Sequence, residues 1–393
     1  MTQKSESSFG LILALWAAGL CAAAQFAKIS LIFPELMALY PNAGSAAGFL
    51  VSLLSFLGVA LGLITGIIVA KFGYRLLLLC ALIVGAIISA YQATLPSFYP
   101  MLVSRLLEGG SHLIIVVAAP TLIAQVSSDR YRAAAMTLWG TFFGVAFSLV
   151  AWFGLPLVKA YGIASLFIVH ATALMLVAGI LYVLLPREKH VSSDASVLSF
   201  SEIIRRHFET YRSAFVAAPA MGWLFYTLSF VSLLTLLPNY VPADQRAFVS
   251  GAMPLASIAT SMTIGVFLLR YMEATHVIVL GFVASMLCVA LLWIFPGSVW
   301  GCVALFGALG LVQGASFAAV PQLNEDNQTR AYANGALAQM GNLGNLSGTP
   351  LLLLMSAGMG FNGLILFAVI CYAFGIAVHI LMSVRRKHFD DRD

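Results

Sequence analysis

Residues 98–126 read FYPMLVSRLLEGGSHLIIVVAAPTLIAQV, a run of 29 residues in which only Arg105 and Glu108 carry a formal charge. As an α-helix the run would be about 43 Å long, because each residue adds about 1.5 Å, and the hydrocarbon core of a membrane is about 30 Å thick. The stretch therefore predicts a membrane-spanning helix that carries two ionisable side chains at lipid depth.

The rest of the chain repeats this pattern. Of its 393 residues, 61% are apolar and 9% are charged, whereas about a quarter of the residues in a soluble domain are charged. The predicted fold class is therefore an all-α membrane protein with twelve transmembrane helices. Breaks at Pro, Gly, Asn and charged residues define spans one to twelve: 9–33, 46–70, 76–95, 98–126, 134–158, 163–185, 214–240, 248–269, 275–295, 299–322, 332–356 and 362–384.

The basic residues predict the orientation of the spans. Short loops that are rich in Lys and Arg stay on the cytoplasmic side of a membrane. If both termini are cytoplasmic, sixteen basic residues lie in cytoplasmic segments and only Lys159 and Arg246 lie in outer loops. We therefore expect a multi-pass protein of the bacterial plasma (inner) membrane with cytoplasmic N and C termini.

One long polar segment divides the spans into two sets of six. We expect six-helix bundles at 1–185 and 214–393, joined by a cytoplasmic linker at 186–213. The linker pattern is typical of an amphipathic helix on the membrane surface. The apolar positions that recur in it at helical spacing are Phe200, Ile203, Ile204, Phe208 and Tyr211.

The two halves share a further pattern. The stretches Gly109 to Pro120 and Gly310 to Pro321 are each twelve residues long, begin with Gly and end with Pro. They stand in the fourth span of each half, where a duplicated transporter would repeat its structure. The pattern favours a transporter built from two related bundles.

A glycine-containing motif joins spans two and three. Residues 66–75 read GIIVAKFGYR, and span four carries the step Arg105-Leu-Leu-Glu108-Gly109. These motifs resemble the major facilitator superfamily, and the resemblance covers nearly the whole chain. It implies a major facilitator fold that works by alternating access, with Gly66, Gly73 and Arg75 as gating residues. Ala70 stands where the family carries an acid that latches the cytoplasmic side, so the resemblance does not explain the latch here.

Two details bear on the direction of transport. The run from Arg105 to Pro120 is similar to the cyanate-transporter-like branch of the superfamily. Span five, around Gly140 to Ser148, lacks the Gly-Pro step that is typical of the family's drug-proton antiporters. We therefore predict a secondary active transporter that takes up its substrate by proton symport. The alternative is a proton-coupled antiporter that exports a drug or metabolite.

Lys28, Arg105 and Glu108 are the clear ionisable residues within the spans. A charge at this depth costs about 3 kcal/mol or more unless it is paired or faces water, so each is a functional candidate. In the resembled family, spans one and four line the central cavity. Two cations against one carboxylate leave one excess positive charge. We therefore predict that Lys28 and Arg105, with Gln25 on the same face of span one, bind a small anion such as a carboxylate.

Glu108 and His112 are the candidates for carrying the coupling proton. Arg105, Glu108 and His112 stand at positions i, i+3 and i+7, which places them on one helical face. An anion that neutralises Arg105 would make it easier for Glu108 to take up a proton. The alternative is structural: Arg105 pairs with Glu108 within span four, while Lys28 pairs with Glu108 or Glu35, as closed bridges that hold the fold.

The second half offers aromatic and amide side chains instead of charges at membrane depth. We select Tyr226 in span seven and Gln313 in span ten as substrate-binding candidates, because in the resembled family these spans line the cavity. Such residues can also join helices to each other through hydrogen bonds.

The sequence argues against other functional classes. Its five cysteines fall in apolar runs without the close spacings of metal or redox motifs, and its loops carry no Ser-His-Asp set. The basic residues form no patch with interleaved aromatics, as nucleic-acid binding would require. We expect no enzyme activity, metal or cofactor, and a monomer whose partners are an anionic substrate, protons and the lipid bilayer.

Overall fold

The computed structural model describes residues 9–186, 205 and 210–390. Within these residues all regular secondary structure is helical, and eleven helical stretches are long and apolar enough to cross a membrane. Span eleven corresponds to the helix Asn327–Met359, whose 33 residues are long enough to cross but include several amide side chains. The all-α membrane fold predicted from the sequence is confirmed.

The chain divides into two compact units, Met1–Gly44 with Leu53–Ala195 and Ser45–Ser52 with Ser196–Asp393. The second boundary falls inside the predicted linker. The short segment Ser45–Ser52 groups with the later unit, a feature that the apolar pattern does not predict. Gly48 explains this grouping, because a Cβ atom at this position would lie 2.8 Å from the backbone of Pro350. Most of the predicted linker helix lies outside the described residues.

The helices of the first half follow the predicted order. Span two begins with short 3-10 and α segments, and a π-helical turn interrupts span five. Span one is Phe9–Leu31, and the short helix Phe33–Leu39 follows it. Span two consists of Gly44–Ala47, Gly48–Ser52, Leu53–Ser55 and Phe56–Phe72, and span five of Asp129–Gly140, Phe142–Leu149, Val150–Gly154 and Leu155–Tyr161. Spans three, four and six are single helices: Tyr74–Gln92, Phe98–Val126 and Ile163–Leu184.

The second half contains helical irregularities of the same kinds, at other positions. A 3-10 turn ends span seven, and a π-helical turn interrupts span eight. The bounds are Ala218–Leu236 and Leu237–Tyr240 (span seven), Arg246–Thr260, Ser261–Gly265 and Val266–Leu268 (span eight), Ala274–Ile294 (span nine), Val299–Leu323 (span ten), Asn327–Met359 (span eleven) and Phe361–Asp390 (span twelve).

Gly73 separates spans two and three. Its φ of 91° lies in the left-handed region, which a residue with a Cβ atom rarely adopts. Its backbone N–H donates to the carbonyl of Val69 and so closes the last turn of span two. Gly73 is therefore required at this position by backbone geometry alone.

The internal repeat is visible as a matched pair of close helix contacts. A Cβ atom at Gly109 would lie 2.5 Å from the carbonyl oxygen of Leu54, and one at Gly310 would lie 2.2 Å from that of Ser257. In each half, therefore, the fourth span packs its glycine directly on the backbone of the second span. The structure gives the two glycines equivalent roles, as the sequence pattern predicts.

The apolar core of the first unit occupies one end of spans one, three, four and six. Leu15, Leu82, Ile115 and Leu174 represent these four helices in a single buried cluster. The charged residue of span one, Lys28, lies beyond this core along the same helix. The core holds the four helices together and so fixes the relative positions of the polar side chains in the next layer.

Candidate functional site

Lys28 lies at the centre of a buried polar cluster in the first unit. Its ammonium nitrogen is 2.7 Å from Glu108 Oε1, 3.0 Å from Ser89 Oγ and 3.2 Å from His170 Nδ1. An ammonium group has three N–H donors, so these acceptors satisfy all of them. The nitrogen also lies 5.2 Å from the centre of the Phe167 ring, a favourable contact for a cation.

Glu108 accepts hydrogen bonds on both of its carboxylate oxygens. Oε1 accepts from Lys28, while Oε2 accepts from Arg105 Nη1 and from Gln92 Nε2, the latter at 2.9 Å. Gln92 Nε2 also donates to Ser104 Oγ at 3.0 Å, so both of its N–H groups are used. One carboxylate is thus shared between two cations.

The tautomer of His170 follows from its partners. Nε2 lies 3.0 Å from the backbone carbonyl of Cys21, which can only accept, so this nitrogen carries a proton. Nδ1 lies 3.2 Å from Lys28 Nζ, which can donate an N–H group in its ammonium or its amine form, so this nitrogen is the acceptor. His170 is therefore held as a neutral imidazole that orients the ammonium.

The cluster has an excess of one positive charge. Among the described residues of the first unit, the charged side chains that are fully buried are Lys28, Arg105 and Glu108, each with no exposed surface. Two cations and one anion give a net charge of +1 when all three are ionised. Because a charge removed from water is costly, this excess makes the cluster a candidate functional site.

The structure brings together three of the predicted site residues and places two others apart. Gln25 Nε2 donates to Ser111 Oγ at 3.1 Å, and Ser111 donates to the carbonyl of Ala81 at 2.7 Å. His112 Nδ1 lies 3.0 Å from the carbonyl of Ala22, and its ring packs edge-on against Phe26. Both side chains join helices within the bundle, and their roles in binding or coupling stay predictions.

The structure contains the ion pairs of the structural alternative, in which the buried charges only hold the fold. Arg105 pairs with Glu108 within span four, and Lys28 pairs with the same Glu108. Both cations therefore share a single carboxylate, and the excess positive charge remains.

Sequence reasoning missed the partners on spans three and six. Ser89 and Gln92 stand three residues apart and face the cluster from span three. His170 is the one histidine in span six, and a lone histidine in an apolar helix is typical of a packing residue. The spacing of Ser89 and Gln92 on one helical face was the available signal, although an uncharged pair of this kind is common in membrane helices.

Arg75 binds the end of span six within the same unit. Its Nη2 donates to the carbonyl of Tyr182 at 2.8 Å, and its Nη1 donates to the carbonyl of Leu185. The guanidinium also lies 5.4 Å from the Tyr182 ring centre. A cation at a helix C terminus is stabilised by the free carbonyls and the helix dipole. Gly66 lies within span two, and gating by these residues stays a prediction.

In the second unit, Tyr226 belongs to an aromatic column on span seven. Its ring stacks on Trp223 at 4.4 Å and on Phe230 at 5.0 Å between ring centres. Gln313 on span ten accepts a hydrogen bond from Ser257 at 3.1 Å, and its side chain is partly exposed. These contacts explain how the two side chains are held, and substrate binding by either stays a prediction.

Comparison with known proteins supports the family assignment. No curated protein matches the chain in a sequence search. The family model described as Major Facilitator Superfamily matches residues 15–248, which is more than half of the chain. The match covers spans one to seven, including the cluster around Lys28 and the motif that ends at Arg75. The chain therefore belongs to the major facilitator superfamily and is a multi-pass membrane protein of the secondary transporter type, with a small-molecule substrate.

Proposed function

We propose that this transporter takes up a small organic or inorganic anion, such as a carboxylate, together with protons. The observation that carries the proposal is the buried pair of cations, Lys28 and Arg105, which share the single carboxylate of Glu108. The excess positive charge makes the first unit complementary to one negative charge. A neutral or cationic substrate would gain nothing from this arrangement.

Glu108 also supports the idea that these cations can hold a carboxylate. Its two oxygens contact Lys28 and Arg105 at the same time, with Gln92 as a third donor. A substrate carboxylate would form the same kind of bonds, with a point charge from lysine and a planar donor pair from arginine. We infer that the substrate binds by sharing these donors with Glu108.

The direction of transport and the orientation of the protein in the membrane are inferred from the sequence. Span five lacks the Gly-Pro step of drug-proton antiporters, and the run from Arg105 to Pro120 is similar to the cyanate-transporter-like branch. The excess of basic residues in alternate loops favours cytoplasmic termini in a bacterial inner membrane. The missing Gly-Pro step and the similarity to the cyanate-transporter-like branch favour uptake over export.

Uptake by the purified protein in liposomes tests the proposal. Four radiolabelled probes cover the anion classes: acetate, cyanate, nitrate and phosphate. With the outside more acidic by one pH unit, we expect at least one probe to accumulate above its level in protein-free liposomes, which undissociated acetic acid enters unaided. This accumulation should vanish when a protonophore collapses the gradient. Accumulation only under the opposite gradient would favour antiport, and no gradient-dependent movement of any probe would refute anion symport.

A further inference from the structure

The three charges of the cluster differ in their ability to exchange a proton. A guanidinium does not lose its proton in proteins, so Arg105 stays positive. If Glu108 took up a proton, both cations would remain and the buried charge would rise to +2. If Lys28 lost a proton, Arg105 and Glu108 would balance and the buried charge would fall to zero. Only the lysine can neutralise the unloaded cluster.

A bound anion reverses this preference. With the anion present, Lys28 and Arg105 balance Glu108 and the anion when all groups are ionised, and the total is zero. Losing the lysine proton would then leave a charge of −1, while protonating Glu108 would leave +1. To keep the net charge of the buried site low, Lys28 must therefore be an amine when no anion is bound and an ammonium when an anion is bound.

We propose that Lys28, rather than Glu108, carries the coupling proton. The inference rests on the proposed uptake of an anion and names the group that couples it to protons. As the anion enters, the Lys28 amine takes a proton from water on the outer side and forms an N–H bond. When the anion leaves, that bond breaks and the proton passes to water on the inner side. Each cycle moves one anion and one proton, so net charge movement is zero.

The surroundings of Lys28 can satisfy both of its forms. The ammonium donates to Glu108, Ser89 and His170. An amine needs a donor for its lone pair. The Ser89 hydroxyl can supply one by turning away from its other two acceptors, the Phe167 carbonyl at 3.0 Å and His170 Nδ1 at 2.9 Å. His170 Nδ1 remains an acceptor for an amine N–H in either form.

The ionisable groups that face Lys28 are few. Span four contributes Arg105, Glu108 and, one turn further, His112, while span six contributes His170. Span three contributes the uncharged Ser89 and Gln92. The parts of span five that pack beside span one, Phe142–Leu149 and Val150–Gly154, contain no ionisable residue. No other titratable group among these helices competes for the role.

Two substitutions distinguish a lysine carrier from a glutamate carrier. Lys28→Arg fixes the positive charge, so the loaded site stays at zero while the unloaded site is held at +1. Each cycle of this variant would move one negative charge and no proton. Glu108→Gln adds +1 to both forms and leaves the lysine able to exchange its proton. The two candidate carriers therefore predict opposite outcomes for the two variants.

The experiment uses the same liposomes and the same four probes: acetate, cyanate, nitrate and phosphate. An electroneutral symporter driven by one pH unit accumulates a singly charged anion about tenfold, and wild type should do so without responding to a membrane potential. Lys28→Arg should lose this tenfold accumulation. It should instead accumulate the anion about tenfold under an inside-positive potential of about 59 mV. Glu108→Gln should still follow the pH gradient and not the membrane potential, whatever its rate of transport.

Controls keep the result interpretable. Exchange of labelled for unlabelled anion moves no net charge or proton, so it reports whether each variant still binds and moves the anion, and thermal unfolding in detergent reports whether each one folds. The inference is overturned if Lys28→Arg still follows the pH gradient, or if Glu108→Gln follows the potential instead. If one variant does not fold, the other decides by the same criterion. Failure of wild type to accumulate any probe would refute anion uptake itself and the inference with it.

Discussion

Two adjacent glycines in span four should respond in opposite ways to the same substitution. A Cβ atom at Gly109 would lie 2.5 Å from the carbonyl oxygen of Leu54 and 3.2 Å from its carbonyl carbon. A Cβ atom at Gly110 would meet Leu57 Cδ1 at 3.5 Å, an ordinary contact with the end of a flexible side chain. Gly109→Ala therefore forces two helix backbones apart, while Gly110→Ala does not.

The size of the effect follows from these distances. To restore an ordinary contact, spans two and four must separate by about 0.9 Å at Gly109, and inserting a methyl group into a packed interior costs about 1–3 kcal/mol. The upper part of this range applies because the opposing atoms belong to the backbone. At Gly110 the better helix propensity of alanine, about 1 kcal/mol in water, makes the change neutral or stabilising.

Unfolding of the purified protein by titration with dodecyl sulfate measures this difference. We expect the free energy of unfolding to fall by about 1–3 kcal/mol in Gly109→Ala and to stay level or rise in Gly110→Ala. Gly310→Ala should cost at least as much as Gly109→Ala, because its Cβ would lie 2.2 Å from Ser257 O. A Gly109→Ala protein as stable as Gly110→Ala would refute the packing of spans two and four.

Two further predictions concern the ends of helices. Replacing Arg75 by Gln should lower the melting temperature and loosen the end of span six in hydrogen exchange, because its two bonds to backbone carbonyls are lost, whereas Lys71→Gln should not alter exchange at this site. Asp326 caps span eleven through the N–H groups of Gln328 and Thr329. Asp326→Ala should therefore lower the melting temperature by more than Asp326→Asn, which can still cap but lacks the charge. The side-chain bond from Thr329 lowers the pKa of Asp326. The stabilisation from its charge should therefore be complete above the unfolded pKa, about 3.9, and disappear as the pH falls through the folded value.

The sequence predicted the order of the helices because each span is defined by local composition. It also predicted which residues of span four share a face, since Arg105 and Glu108 are one turn apart. Contacts between helices were harder to predict. His170 and Ser89 lie 142 and 61 residues from Lys28, and periodicity along one helix does not show which helix faces it.

The placement of His112 is a second example of a contact between helices that the sequence does not predict. Its position on the face of Arg105 and Glu108 is correct as helical geometry, yet its ring turns to the carbonyl of Ala22 on span one. Whether the Ala22 carbonyl lies next to His112 depends on how spans one and four pack together, and the core residues determine that packing. Sequence spacing identified the charged candidates, but the neutral partners required three-dimensional contacts.

The central claim is that the buried cations bind an anion, and direct binding tests it best. Purified protein should bind at least one of acetate, cyanate, nitrate and phosphate in isothermal titration calorimetry. Arg105→Gln should lose that binding by at least about tenfold, or about 1.4 kcal/mol. Arg246→Gln, at the first residue of the span-eight helix in the second unit, should bind like wild type. Equal binding by the Arg105→Gln protein, with its folding verified by thermal unfolding, would contradict the account.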